Sequence, residues 1–88
     1  MDNAIANMSR KGYLYRVRGI FQAVAQNSVS ATEIALLERL TEETFEFGGR
    51  KVGSYALAAL HILRAKEYTG DEAEVIELIQ TMPGFNID

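Results

Sequence analysis

Residues 52–63 read VGSYALAALHIL, apolar almost all the way round a helix, with only Ser54 and His61 interrupting. A helix that can turn no side to water must lie in the middle of something. The chain is therefore expected to fold around one central helix, with the rest arranged to cover it. Its 88 residues make one domain, residues 1–88, and 48% apolar composition is enough for a single core.

Three further helices are predicted around the central one. The first covers residues 11–26, where Tyr13, Val17, Ile20, Phe21 and Val24 form one apolar stripe at helical spacing. Gly19 inside it either permits close approach of a neighbouring helix or costs up to ~1 kcal/mol of propensity. The second covers residues 31–46 and opens on Ser30 with Glu33 three positions later, the capping-box spacing. Its inner stripe is Ile34, Leu37, Leu40 and Thr44, widened by Leu36 and Phe47, and Gly48 and Gly49 stop it. The central helix takes residues 50–67, with Gly70 beyond its end. Asp71 then caps a fourth helix, with Glu74 at the capping-box position and Val75, Leu78, Ile79 and Met82 on its buried face, before Pro83 and Gly84 end it. Period-2 alternation is sustained nowhere, so no sheet is expected. Residues 1–9 and 84–88 are expected to fray, although Ala4, Ile5 and Met8 have the spacing of a helical turn. The expectation is an all-α chain, a compact antiparallel four-helix arrangement with an apolar central third helix.

Several function classes lose their residues at once. With no cysteine and one histidine, thiolate zinc sites, cysteine nucleophiles and imidazole-rich metal sites are excluded. A di-iron carboxylate helix would need Glu three positions before His61, where Ala58 stands. Gly48 and Gly49 lack the preceding strand and the GK[ST] ending of a phosphate-binding loop. Ser28, Ser30 and Ser54 have no nucleophile-elbow context, and His61 has no orienting carboxylate in view, so it reads as a packed histidine. A helix-turn-helix reader must offer several polar side chains to base edges, and residues 52–63 offer two. No catalytic, cofactor or metal residues are expected. No signal peptide or membrane span is apparent, which makes the cytoplasm the default compartment.

Charge is more informative in its distribution than in its total of −3. Residues 1–27 carry +3, residues 28–49 carry −4, residues 50–66 carry +4, and the remainder carries −6. Blocks of alternating sign suit neighbouring helices that complement one another, or a second copy of the chain. Within them, Glu38, Glu42 and Glu46 are spaced to line one helix face, a row that disfavours its own helix unless cations meet it. Tyr15 and Phe45 lie off their helices' stripes beside charged residues, as aromatics at association surfaces do. These features favour a non-enzymatic, regulatory protein–protein interaction module, with a homodimer as one form of the contact. The contact residues assigned are Tyr15, Arg16, Arg18, Glu38, Glu42, Phe45 and Glu46. The alternative is a nucleic-acid-binding or transcription-modulating protein using Arg10, Lys11, Arg16, Arg50 and Lys51. Arg16 and Arg18 stand about 200° apart on a helix, so they do not form one tight patch.

Overall fold

In a computed structural model of the chain, residues 3–27 and 30–84 are described. Helix α4 (Val52–Arg64) is the frame on which the rest is hung. Val52, Ala56, Ala58 and Ala59 are fully buried, and α2 (Tyr13–Ala25), α3 (Ala31–Leu40) and α5 (Ala73–Thr81) all pack against α4. Alanines on opposite sides of one helix let several neighbours come close at once. The expectation of a central third helix read from residues 52–63 thus agrees with the packing, within a fold that is mostly helical.

The helix count differs from the expectation. Ala4–Met8 forms a helix, α1, where fraying was expected. Asn3 caps it by accepting a hydrogen bond from the Ala6 amide at 2.8 Å, which satisfies one of the free first-turn donors. Ala4 and Met8 are buried against α2, and Asn7 Nδ2 donates to Gln22 Oε1 at 2.7 Å. Gly19 is what lets α1 lie so close to α2. A Cβ there would meet the Met8 amide nitrogen at 2.7 Å and the Ala4 carbonyl oxygen at 2.9 Å. Of the residues expected to fray at the other end, Gly84 lies in a 3-10 turn (Met82–Gly84), and 85–88 fall outside the described residues.

The larger correction concerns residues 41–51. Helix α3 stops at Leu40 and does not continue to Glu46. Thr41 closes it, its hydroxyl donating to the Glu38 carbonyl at 2.6 Å. The chain then extends, and β1 (Glu46–Phe47) pairs antiparallel with β2 (Arg50–Lys51), Glu46 opposite Lys51 and Phe47 opposite Arg50. Gly48 and Gly49, expected to close a helix, both take positive φ (64° and 81°) in the two-residue loop of this hairpin. Strands of two residues have no room to show a period of two, which is why no sheet was expected. The row Glu38, Glu42, Glu46 therefore does not exist as a helix face, and Thr44 is exposed and not on an inner stripe.

Two cap assignments also change. Ser30 caps α3 by accepting from the Glu33 amide at 3.2 Å, but its hydroxyl donates to the Glu33 carboxylate, so Glu33 does not reach back to the Ser30 amide. Helix α5 begins after Glu72, not Asp71, and has no side-chain cap. Glu74 instead crosses to the start of α4, where its carboxylate accepts from Ser54 Oγ at 2.5 Å and the Lys51 amide at 3.3 Å. A buried hydroxyl and the unpaired first amides of α4 hold an acid better than a solvated turn does. At its other end α4 closes on Ala65, φ 53°, well before Gly70. His61 ties down the segment that follows. Its Nδ1 lies 3.1 Å from the Lys66 carbonyl, which can only accept, and its ring packs edge-on against Tyr68.

Candidate functional site

Helix α2 and the hairpin meet because the start of α4 holds both. The Val52 amide donates to the Phe45 carbonyl at 2.8 Å and the Gly53 amide to the Glu43 carbonyl at 2.9 Å. Gly53 permits this approach, since a Cβ there would stand 2.4 Å from the Thr41 carbonyl oxygen. The Tyr55 hydroxyl donates to the Phe47 carbonyl at 3.0 Å and fixes β1 from below. With residues 43–47 fixed, the Phe45 ring stacks on Tyr13 of α2, centroids 4.4 Å apart and planes 23° off parallel.

Arg16 knits this face together. Its Nη1 donates to Glu43 Oε1 at 2.9 Å, its Nε to the Arg10 carbonyl at 2.7 Å, and its guanidinium lies 5.4 Å from the Tyr13 ring centre. Arg10 in turn lies over the Tyr15 ring at 4.6 Å. The result is a continuous run of contacts from Tyr15 through Arg10 and Arg16 to Tyr13 and Phe45, while Leu14, about 200° round α2 from Arg16, lines a cleft. Phe45 is 58% exposed, Leu14 59% and Tyr15 43%.

Behind Leu14 lies an open cleft of about 540 Å³ between α2, the hairpin and α5. Val17, Phe21, Phe47, Tyr55 and Leu78 make its apolar floor, with the Phe21 and Tyr55 rings 5.8 Å apart. Leu14, Arg18, Arg50, Glu77 and Thr81 stand at its mouth, where Arg50 and Glu77 form an ion pair between hairpin and α5.

The seven residues assigned from sequence to a partner do not form one patch. Tyr15, Arg16 and Phe45 belong to the continuous run of contacts. Arg18 turns to the cleft. Glu38 lies elsewhere, paired with Arg64 of α4 at 3.2 Å. Glu42 is exposed in the turn after α3, and Glu46 is exposed on the hairpin opposite Lys51. Of the five residues assigned to nucleic acid, Arg16 and Arg50 are engaged with Glu43 and Glu77, while Arg10, Lys11 and Lys51 are exposed.

Sequence reasoning passed over Leu14 and Glu77. Leu14 was legible, because Leu14, Val17 and Phe21 recur at i, i+3 and i+7, a second stripe beside the main one. Glu77 carried no signal, since its role depends on where the hairpin brings Arg50. The face offers apolar contact, ring stacking and guanidinium hydrogen bonds. Among the described residues, no three His, Asp or Glu side chains converge as a metal ion would require, and no helix is long and apolar enough to cross a membrane.

Compared with protein-family models, curated proteins and solved structures, the chain matches none.

Proposed function

We propose that this chain is a non-enzymatic helical protein-interaction module that binds through the face of Leu14, Tyr15 and Phe45, in its simplest form to a second copy of itself. The supporting observation is that Leu14, Tyr15 and Phe45 are large apolar side chains left 43–59% exposed, two of them on α2 and the third stacked on Tyr13 of the same helix. Scattered exposed apolar residues are ordinary, but aromatics linked through ring stacking and guanidinium contacts, as Phe45, Tyr13 and Tyr15 are, have the composition of an interface. The Arg16 contacts support the same reading. They hold Tyr13 and Phe45 in a fixed stack, so little side-chain freedom remains to be lost on binding.

Light scattering from micromolar to millimolar concentration tests this. A dimer is expected, and Leu14→Asp or Phe45→Ser is expected to return it to a monomer with unchanged helicity. A monomer at every concentration, or a dimer indifferent to both substitutions, would refute the assignment of this face. Adding a short DNA duplex at two salt concentrations tests the nucleic-acid reading in the same cell, because phosphate contacts weaken steeply as salt rises.

A further inference from the structure

We infer that the chain pairs with a second copy in a twofold arrangement in which Arg10 and Lys11 of each copy meet Asp71 and Glu72 of the other. The inference rests on the dimer proposed above and adds its orientation.

The charges that the fold leaves over carry the argument. Arg16, Arg50 and Arg64 are engaged with Glu43, Glu77 and Glu38, and Arg18 has a partner as well. Glu33 and Glu74 accept hydrogen bonds from serine hydroxyls. Arg39 and Glu42 line one cleft, and Lys66 adjoins Glu67. Lys51 stands opposite Glu46 in the hairpin and shares a second cleft with Glu72. It is one cation against Glu46, Asp71 and Glu72, which leaves two negative charges at the entry to α5. Among the described residues, the exposed Arg10 and Lys11 ahead of α2 are the two positive charges that remain. Asp71 and Glu72 suit the positive end of the α5 dipole, yet α5 has no side-chain cap, so their carboxylates keep their oxygens for another chain.

The two remainders flank one segment. Glu42 and Glu43 line two clefts, one shared with Ser9 and Arg16, the other with Lys51 and Glu72. Arg10 belongs to the first side, since its carbonyl accepts from Arg16 Nε. The segment between the two sides runs on into the exposed Phe45, stacked on Tyr13. A twofold axis that crosses the line between the sides near Phe45 exchanges them. Each positive corner then meets the negative entry to α5 of the other copy, and the contact occurs twice. An axis along that line would instead set like charges together. Such complementarity fixes register more than it adds affinity, which stays with the apolar contact of Phe45 and Tyr15.

Sedimentation equilibrium at physiological salt, where charges more than about 8 Å apart are largely screened, tests the pairing. Arg10→Glu with Lys11→Glu, or Asp71→Lys with Glu72→Lys, is expected to raise the dissociation constant of the dimer about tenfold or more, because each change counts twice. The neutral pair Asp71→Asn with Glu72→Gln, milder at the start of a helix, should give a smaller rise in the same direction. An equimolar mixture of the two reversed chains should restore the parental affinity, since every corner again faces opposite charge. A dimer that Phe45→Ser dissolves but that only one reversal, or neither, weakens would overturn the inference and leave the dimer itself standing. Weakening by both reversals without rescue in the mixture would overturn it too. A monomer at every concentration would overturn both.

Discussion

Replacing Gly19 by alanine separates two opposed effects whose sizes can be set side by side. In the interior of an exposed helix this exchange stabilises by about 1 kcal/mol, because alanine loses less backbone entropy. Here the added Cβ would stand 2.7 Å from the Met8 amide nitrogen, 2.8 Å from Met8 Cγ and 2.9 Å from the Ala4 carbonyl oxygen. The methionine side chain can turn aside, but the two backbone atoms cannot. Ordinary contact begins near 3.4 Å, so α1 as a whole has to retreat. That movement loosens the buried Ala4 and Met8 and stretches the bond from Asn7 to Gln22. Overpacking of this kind costs about 1–3 kcal/mol. Set against the gain in propensity, the net is a loss of about 1 kcal/mol, or a fall of about 4–8 °C in the thermal midpoint for a chain of this size. Urea unfolding followed by circular dichroism measures the first quantity and a thermal scan the second. Hydrogen exchange locates the change, with Asn7 and Met8 amides exposed much sooner and those of Ala58 and Ala59 in α4 quickened by no more than the loss of global stability. A rise in midpoint with an unchanged urea slope would refute the reasoning, since propensity would then have prevailed over the close approach.

Two further outcomes follow from buried hydrogen bonds. Glu74→Ala should cost about 1–3 kcal/mol in urea unfolding, because it leaves the buried Ser54 hydroxyl without its acceptor. Adding Ser54→Ala to that variant should recover part of the loss, because no unpaired buried hydroxyl then remains. Tyr55→Phe should cost about 1 kcal/mol by removing the hydrogen bond to the Phe47 carbonyl, with helicity unchanged.

What could be read from sequence was what local pattern determines. Val17, Ile20 and Val24 are buried where helical spacing put them, and the unbroken apolar run of α4 located the middle of the fold. Tyr15 and Phe45, placed outside the stripes, are among the most exposed large side chains. Residues 41–51 could not be read the same way. Their acids are spaced as on a helix, and the preference for a hairpin comes from tertiary contacts. Gly53 must lie against the Thr41 carbonyl, and the first amides of α4 must meet the carbonyls of Glu43 and Phe45. Neither requirement leaves a trace in periodicity. Glu74 misled for a related reason: the capping-box spacing was present, but a buried partner on another helix competed for the same carboxylate and won.

The alternating charge blocks acquire their meaning from the same tertiary arrangement. Arg16 of the first positive block pairs with Glu43 of the first negative one, and Arg64 of the second positive block pairs with Glu38. Arg50, also of the second positive block, pairs with Glu77 of the last negative one. Each of these pairs joins two blocks adjacent in sequence, and each links a different pair of elements. Their side chains are 20–55% exposed, so each pair contributes at most about 1 kcal/mol. Their value lies in selection among arrangements. A chain whose helices all present apolar stripes can stack them in several orders, and reversed neighbours would set like charges together. Because Arg16, Arg50 and Arg64 are engaged within the chain, what the exposed Leu14 and Phe45 side chains would offer the partner proposed for them is mainly apolar and aromatic contact.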